Sequence, residues 1–315
     1  MPIQRDFVPD TSVVNWLLEG DIAIQHQARR DLLGKGDPTF QARIASEGWG
    51  ARFLAARNRD GSWGERFYQP KWISSHYTLL DLRTLELPRT NAIAQQSVMK
   101  ILAEEKRGDG GIGPARSVAK SDVCVNGMFL DYACWFDAPE TELHSIVDFL
   151  IFQHMPDGGF NCQSNFSGAR HSSMHSTISV LEGFLEFERQ GYRYRLDELL
   201  AKAEEAREFL LTHRLYKSDH TGEIVRKDFL QLSFPPRWKY NILRALDHFR
   251  LAGAPWDDRM SDAMDVLLEK RRPDGKWPVQ AAHAGQVHFT MENAGGPSRW
   301  NTLMALRVLK AYSNC

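Results

Sequence analysis

Asp60-Gly61-Ser62-Trp63 and Asp157-Gly158-Gly159-Phe160 decide how this chain folds. In each, an acidic residue and a glycine lead into an aromatic side chain, between two apolar segments of helical spacing. The pattern returns as Gly108-Asp109-Gly110-Gly111-Ile112, Thr221-Gly222-Glu223-Ile224 and Asp274-Gly275-Lys276-Trp277. From Gly61 to Gly110, Gly158, Gly222 and Gly275 the steps are 49, 48, 64 and 53 residues. A period near 50 marks a repeat architecture whose units cannot bury their apolar faces alone. Each unit reads as outer helix, tight turn, inner helix, so the units must stack or close into a ring.

Inner helices are expected at 76–87, 123–136, 175–187, 238–251 and 300–312. Outer helices precede the turns, as at 143–153 and 201–213. Their apolar residues recur at three and four spacing, as in Leu303, Leu306 and Leu309 or Ile242, Leu246 and Phe249. Residues 1–40 read as a divergent first hairpin, with Thr11 or Ser12 capping one short helix and Asp21 the next. No segment alternates like a strand, and no low-complexity linker divides the chain. The expectation is an all-α fold, one α/α toroid spanning 1–315, with about six helical hairpins around a central cavity.

Composition narrows the function. Against 39 basic residues stand 40 acidic ones, which argues against a nucleic-acid surface built on phosphate contacts. No run is long and apolar enough for a membrane span. The N-terminus lacks a secretory pattern, and four cysteines without regular spacing do not suggest a disulfide framework. A cytoplasmic protein is expected. Nine Trp and seventeen Phe supply flat apolar surface for lining a cavity.

Because helix direction alternates, all inner N-termini open on one rim, which collects positive helix ends. Connecting loops add Arg116, Lys120, Arg170, Arg237, Lys239 and Arg299. An apolar cavity with a cationic rim suits a long hydrocarbon bearing a diphosphate.

The sharpest local signal is Asp122-Val123-Cys124 opening one inner helix, with His175 opening the next 51 residues later. Carboxylate, thiolate and imidazole make a plausible zinc set, and three protein ligands would leave a catalytic fourth position open. Taken singly, Cys124 also reads as a small buried apolar residue, Asp122 as a helix cap and His175 as a hydrogen-bonded rim histidine. Cys162, in the run Cys162-x8-His171-x3-His175, would close the shell if it joined and make the zinc structural.

Ser121-Asp122-Val123-Cys124, followed by 149–160 and then His175, resembles the β subunits of protein prenyltransferases, nearest in spacing to the geranylgeranyl transferase that modifies Rab proteins. The whole chain looks like the wider squalene cyclase and prenyltransferase superfamily, through Gly61-Ser62-Trp63 and Gly275-Lys276-Trp277. The resemblance implies an α/α barrel, zinc on Asp122, Cys124 and His175, and transfer of an isoprenoid from its diphosphate to a thiolate. It implies diphosphate binding by Arg116 and Lys120, with a further contact from His76, and a separate helical partner subunit. Lys239 and Arg299 are expected to help stabilise the leaving group, with magnesium accompanying the diphosphate. Val125 stands where the family carries an aromatic hydroxyl.

Two alternatives stand beside this zinc-dependent, prenyltransferase-like enzyme. A terpene cyclase would use the same ring, although the acidic cluster is reduced to Asp257-Asp258 behind Pro255. A non-enzymatic toroid would bind a lipid or protein and carry structural zinc.

Overall fold

The computed structural model describes residues 9–115, 117–162, 167–280 and 282–313. Six hairpins pair an outer with an inner helix. They are α1 (Thr11–Leu18) with α2 (Ile22–Asp31), and α4 (Gly48–Ala55) with α5 (Ser75–Thr84), the short α3 (Pro38–Arg43) lying before α4. Next come α6 (Ala92–Glu105) with α7 (Val123–Trp135), and α8 (Glu140–Phe152) with α9 (Met174–Arg189). Then α10 (Leu196–Thr212) pairs with α11 (Ile242–Leu251), and α12 (Ser261–Glu269) with α13 (Arg299–Ala311). The inner helices contact in sequence, and α13 packs on α1 and α2 to close the ring. Arg307 of α13 seals the closure on α2, donating to Gln27 Oε1 at 2.6 Å and pairing with Asp31 at 2.5 Å.

The turns explain the repeat. Gly61, Gly110, Gly158, Gly222 and Gly275 have φ of 84°, 91°, 92°, 71° and 79°, the left-handed region that side chains disfavour. At Gly110 and Gly158 space adds a second demand. A Cβ there would lie 2.9 Å from Ser145 O or Glu205 O, on the outer helix of the following hairpin. In four of the five turns the following apolar residue is fully buried: Trp63, Ile112, Phe160 and Trp277. Their backbone N–H groups donate to Ser75 Oγ (2.9 Å), Asn126 Oδ1 (2.7 Å), Thr177 Oγ1 (3.0 Å) and Thr302 Oγ1 (3.0 Å), all in the first turns of inner helices. Both indole N–H groups donate at 2.7 Å to a carbonyl ten residues upstream, Phe53 O and Leu267 O.

The fifth turn differs. Around Gly222 the loop is one residue longer, and Ile224 is 44% exposed instead of filling the apolar slot. Phe229, on a short 3-10 turn at Lys227–Leu230, is buried in the core in its place. The inner helix expected from Trp238 therefore begins only at Ile242, where Asn241 accepts from Arg244 N at 2.9 Å. At the start of the chain the first cap is Asp10 rather than Thr11 or Ser12, while Asp21 caps α2 as expected. A two-residue ladder, β1 (Trp277–Pro278) with β2 (Pro297–Ser298), precedes α13.

Helices α7 and α9 make the tightest crossing. A Cβ on Gly127 would lie 2.6 Å from Ser179 O, and one on Gly183 would lie 2.4 Å from Gly127 O. Glycine at both positions lets the backbones touch. That contact draws the N-termini of α7 and α9, and the loops feeding them, together. Among the described residues no helix is long and apolar enough to cross a membrane.

Candidate metal centre

Asp122 caps α7, its Oδ1 accepting from Val125 N at 3.1 Å. The approach to the cap is fixed by the preceding turn, where Asp109 takes the N–H (2.8 Å) and Oγ–H (2.6 Å) of Ser121. One helical step on, Cys124 Sγ donates to the same Oδ1 at 3.0 Å. Cys162 arrives from the next repeat, two residues after the buried Phe160. Its N–H donates to Ser176 Oγ on α9 at 3.1 Å, and its sulfur accepts from Cys124 N at 3.2 Å.

Asp122, Cys124 and Cys162 thus present one carboxylate oxygen and two sulfurs mutually within 4.8 Å. Ligands bound at about 2.0–2.3 Å around one zinc ion stand roughly 3.5 Å apart, so this donor set fits. The Cys124 thiol is pushed well above its ordinary pKa by contact with Cys162, then by burial and the Asp122 charge. It therefore keeps its proton, shared with Asp122 only through that hydrogen bond, and a bound cation would replace the proton.

Cys162 thus joins the group and His175 does not. His175 Nδ1 accepts the Tyr240 backbone N–H at 2.8 Å, and the ring packs edge-on against Phe229 and Trp238. Burial, reinforced by Arg226, holds its pKa down to about 4. A neutral ring accepting at Nδ1 carries its proton on Nε2, so in this arrangement neither nitrogen has a lone pair for a metal. The cause is the long connection after Gly222, which lays Tyr240 across the histidine.

Other expected site residues scatter. Arg116 lies outside the described residues. Lys120 is exposed in the loop before α7, and Arg170 is exposed before α9. Lys239 remains at the rim, above Trp238 at 5.7 Å, lining a pocket of about 190 Å³ with Asp228, Tyr240 and His283. Arg299 is turned away from the axis. It donates to Trp16 O at 2.9 Å and stacks on that indole at 4.5 Å, tying α13 to α1. His76 is wholly buried among Phe67, Tyr68, Tyr77 and Tyr132, with Nδ1 3.1 Å from Tyr132 Oη. Burial lowers its pKa to about 3, so it is a neutral core residue without access to a substrate. Asp257 caps a 3-10 turn and pairs with Arg259 at 2.8 Å, while Asp258 accepts from Trp256 Nε1.

The sequence reading passed over Tyr68, which stands beside the centre, and Lys71, which stands beside Tyr68. Tyr68 accepts from Tyr77 Oη at 2.9 Å, and its pKa is raised by burial and then by nearby Cys124. Lys71 Nζ lies 5.0–5.8 Å from the rings of Tyr68, Trp72 and Trp238. Both come from the aromatic-rich connection between Gly64 and α5, whose length was the available signal.

The central cavity also departs from expectation. It encloses about 350 Å³, and all six inner helices contribute to its wall. The wall is mixed rather than apolar: among the described residues seven carboxylates and seven guanidiniums line it, interleaved with Leu80, Trp135, Trp300 and Met304. Arg83 bonds Asp131 (2.9 Å) and Glu186 (2.6 Å), Arg244 bonds Glu182 (2.8 Å), Arg250 bonds Asp247 (2.7 Å), and Arg237 pairs with Asp81. Burial raises the pKa of Asp81 to about 6 and of Asp131 to about 7, with Arg237 and Arg83 opposing the respective shifts. Asp131 sits seven residues below Cys124 on α7, about 10 Å along the helix. The cavity is therefore a separate place from the rim centre.

No protein-family model matches the chain, and no curated protein matches it. Among solved structures it is similar to a family 88 glycosyl hydrolase from Bacteroides vulgatus. That match has a TM-score of 0.51 and 12% identity, covering 99% of this chain and 93% of the other. A polysaccharide lyase matches with a TM-score of 0.54 and 12% identity, covering 96% of each chain. A type II terpene cyclase from Scytonema, 16% identical over 88% of this chain and 97% of its own, superposes at only 0.34. At such identities the first two show the fold alone. The chain is an α/α toroid, and nothing in these likenesses singles out the prenyltransferase β-subunit branch.

Proposed function

We propose that the chain is a zinc-dependent, transferase-like enzyme whose metal is held at the inner-helix N-terminal rim by Asp122, Cys124 and Cys162. What carries the reading is the convergence of one carboxylate and two thiols from adjacent repeats within 4.8 Å. Asp122 and Cys162 are only partly buried, so the group is reachable from the rim. Three protein ligands are the usual complement of a catalytic zinc, which keeps a position for water or substrate. When bound, zinc supplies a lowered pKa to a thiol or similar nucleophile.

The chain's own groups supply the setting. Asp122 is oriented by its cap hydrogen bond, and Cys162 by Ser176. Tyr68 accepts from Tyr77 and so keeps its own proton to donate. Lys71 and Lys239, each 5.7 Å from the Trp238 ring, would supply positive charge to a departing diphosphate.

The specific reaction supported by the sequence resemblance is transfer of an isoprenoid from its diphosphate, with magnesium, to a thiol. A hydrocarbon tail in the axial cavity would strand the ion pairs there. The tail would instead lie at the rim over the partly exposed rings of Tyr68 and Trp238. The test is transfer of a labelled farnesyl or geranylgeranyl group to a cysteine peptide by the zinc-loaded chain. The assay is run with and without magnesium, and beside Cys124→Ser. Transfer abolished by that substitution is expected; no transfer at full zinc occupancy would remove the isoprenoid donor.

A second reading, structural zinc in a non-enzymatic toroid, is favoured by the near-complete burial of Cys124. It predicts that Cys124→Ser and Cys162→Ser both lose metal and melting temperature, with no transfer by any form.

A further inference from the structure

The wall of the axial cavity restricts what can occupy it. Among the described residues its charged groups balance, seven against seven, and most are already paired, Arg250 with Asp247 inside α11 and the others between separate elements of the ring. An anionic ligand would have to displace carboxylates from their guanidiniums, and a cationic one would do the reverse. A hydrocarbon would cover ionised groups with nothing to hydrogen-bond them, which is costly for each one. A hydroxyl group both donates and accepts, so it can bridge a carboxylate oxygen and a guanidinium N–H without breaking the pair.

Two further features point to an occupant. His248 lines the cavity, is 1% exposed, and neither of its ring nitrogens has a hydrogen-bond partner among the described residues. Such a group is normally satisfied by protein or by a molecule in the adjoining space. Trp135 and Trp300 supply flat apolar surface between the charges. Each is fixed from behind, Trp135 by its N–H to Leu87 O at 2.8 Å and Trp300 by stacking on Phe234 at 4.8 Å. Ring faces beside paired polar groups match a ring compound with C–H faces and a hydroxylated edge. About 350 Å³ is room for on the order of ten waters, enough for one or two such rings.

We infer that the axial cavity is a binding site for a small, uncharged, polyhydroxylated ring compound, a sugar or cyclitol, separate from the rim metal centre. Trp135 and Trp300 contact its apolar faces, and His248 with the Arg83–Asp131 and Arg244–Glu182 pairs takes its hydroxyls.

Calorimetric titration with glucose, cellobiose and myo-inositol, beside glucuronate and glucosamine, tests this on the full chain. Saturable binding of at least one neutral compound is expected, tighter than that of either charged one. His248→Phe removes two unpartnered nitrogens and should fold, since replacing orphaned buried polar groups by apolar ones is tolerated. It is expected to weaken binding about tenfold while the melting temperature is kept, and Trp135→Ala should weaken it independently. Preference for a charged compound, binding unchanged in His248→Phe, or no saturation by any of the five at tens of millimolar would overturn the inference.

Discussion

Gly127→Ala is the sharpest perturbation the fold offers. The new methyl would lie 2.6 Å from Ser179 O, 2.7 Å from Ser179 C and 2.7 Å from Val180 Cα. All three are backbone atoms of α9, so no side chain can swing aside. Relief to ordinary contact needs α7 and α9 to part by roughly 0.7 Å, and overpacking of this kind costs about 1–3 kcal/mol. Alanine is the better helix former by about 1 kcal/mol, but with three backbone contacts below 3.0 Å the steric cost wins. The expected result in urea unfolding is a net loss of about 2 kcal/mol. Gly108→Ala, where nothing lies within 4 Å, should stay within about 0.5 kcal/mol of wild type. Parting these helices also separates Cys124 from Cys162, so Gly127→Ala should bind zinc more weakly. An unchanged urea midpoint with unchanged zinc affinity would refute the close crossing, and with it the reason the two repeats meet.

Other consequences follow from the same contacts. Thr302→Val removes the acceptor of the Trp277 N–H, both residues being fully buried. Stranding that donor should cost about 1–3 kcal/mol in denaturant unfolding, whereas a loss below about 0.3 kcal/mol would mean the tie is not made. His248 is pushed down to about 3 by burial, with Arg207 and Arg244 adding repulsion, against about 6.5 when unfolded. Between those values the unfolded chain holds the extra proton, so this term is lost as pH falls below about 6.5. Asp81 and Asp131, raised to about 6 and about 7, act oppositely: their stabilising protonation is lost as pH rises from about 4 through those values. The histidine is therefore best read by difference. The stability of wild type relative to His248→Phe should fall by about 1.4 kcal/mol per pH unit between about pH 6 and 4; a pH-independent difference would show that His248 is not held neutral.

The ring was legible because its turns need glycine for a backbone reason and a large apolar residue for a packing reason. Both requirements leave marks at fixed spacing. Where the second lapses, at Ile224, the boundary of the following helix was also misplaced. Asp122 and Cys124 were readable because a cap residue and its neighbour two positions on project from the same helix end. Cys162 was readable as a possible ligand, but its convergence depends on Gly127 and Gly183, which sequence alone shows only as interruptions. His175 is displaced by the backbone of Tyr240, 65 residues away, a contact no local pattern encodes. The charged wall was missed for a general reason: Glu182 with Glu186, or Arg244 with Asp247, have the spacing of a solvated helix face. Only ring closure turns those faces inward. Arg299 leans on Trp16, a direction that its position at an inner-helix start does not fix for so long a side chain.

The central claim is that Asp122, Cys124 and Cys162 together hold zinc, and zinc K-edge X-ray absorption on the metal-loaded chain tests it most directly. Two sulfurs at about 2.3 Å with no imidazole scattering are predicted, falling to one sulfur in Cys162→Ser. A shell of one sulfur with imidazole in the wild-type chain, or no bound zinc after loading, would contradict the account.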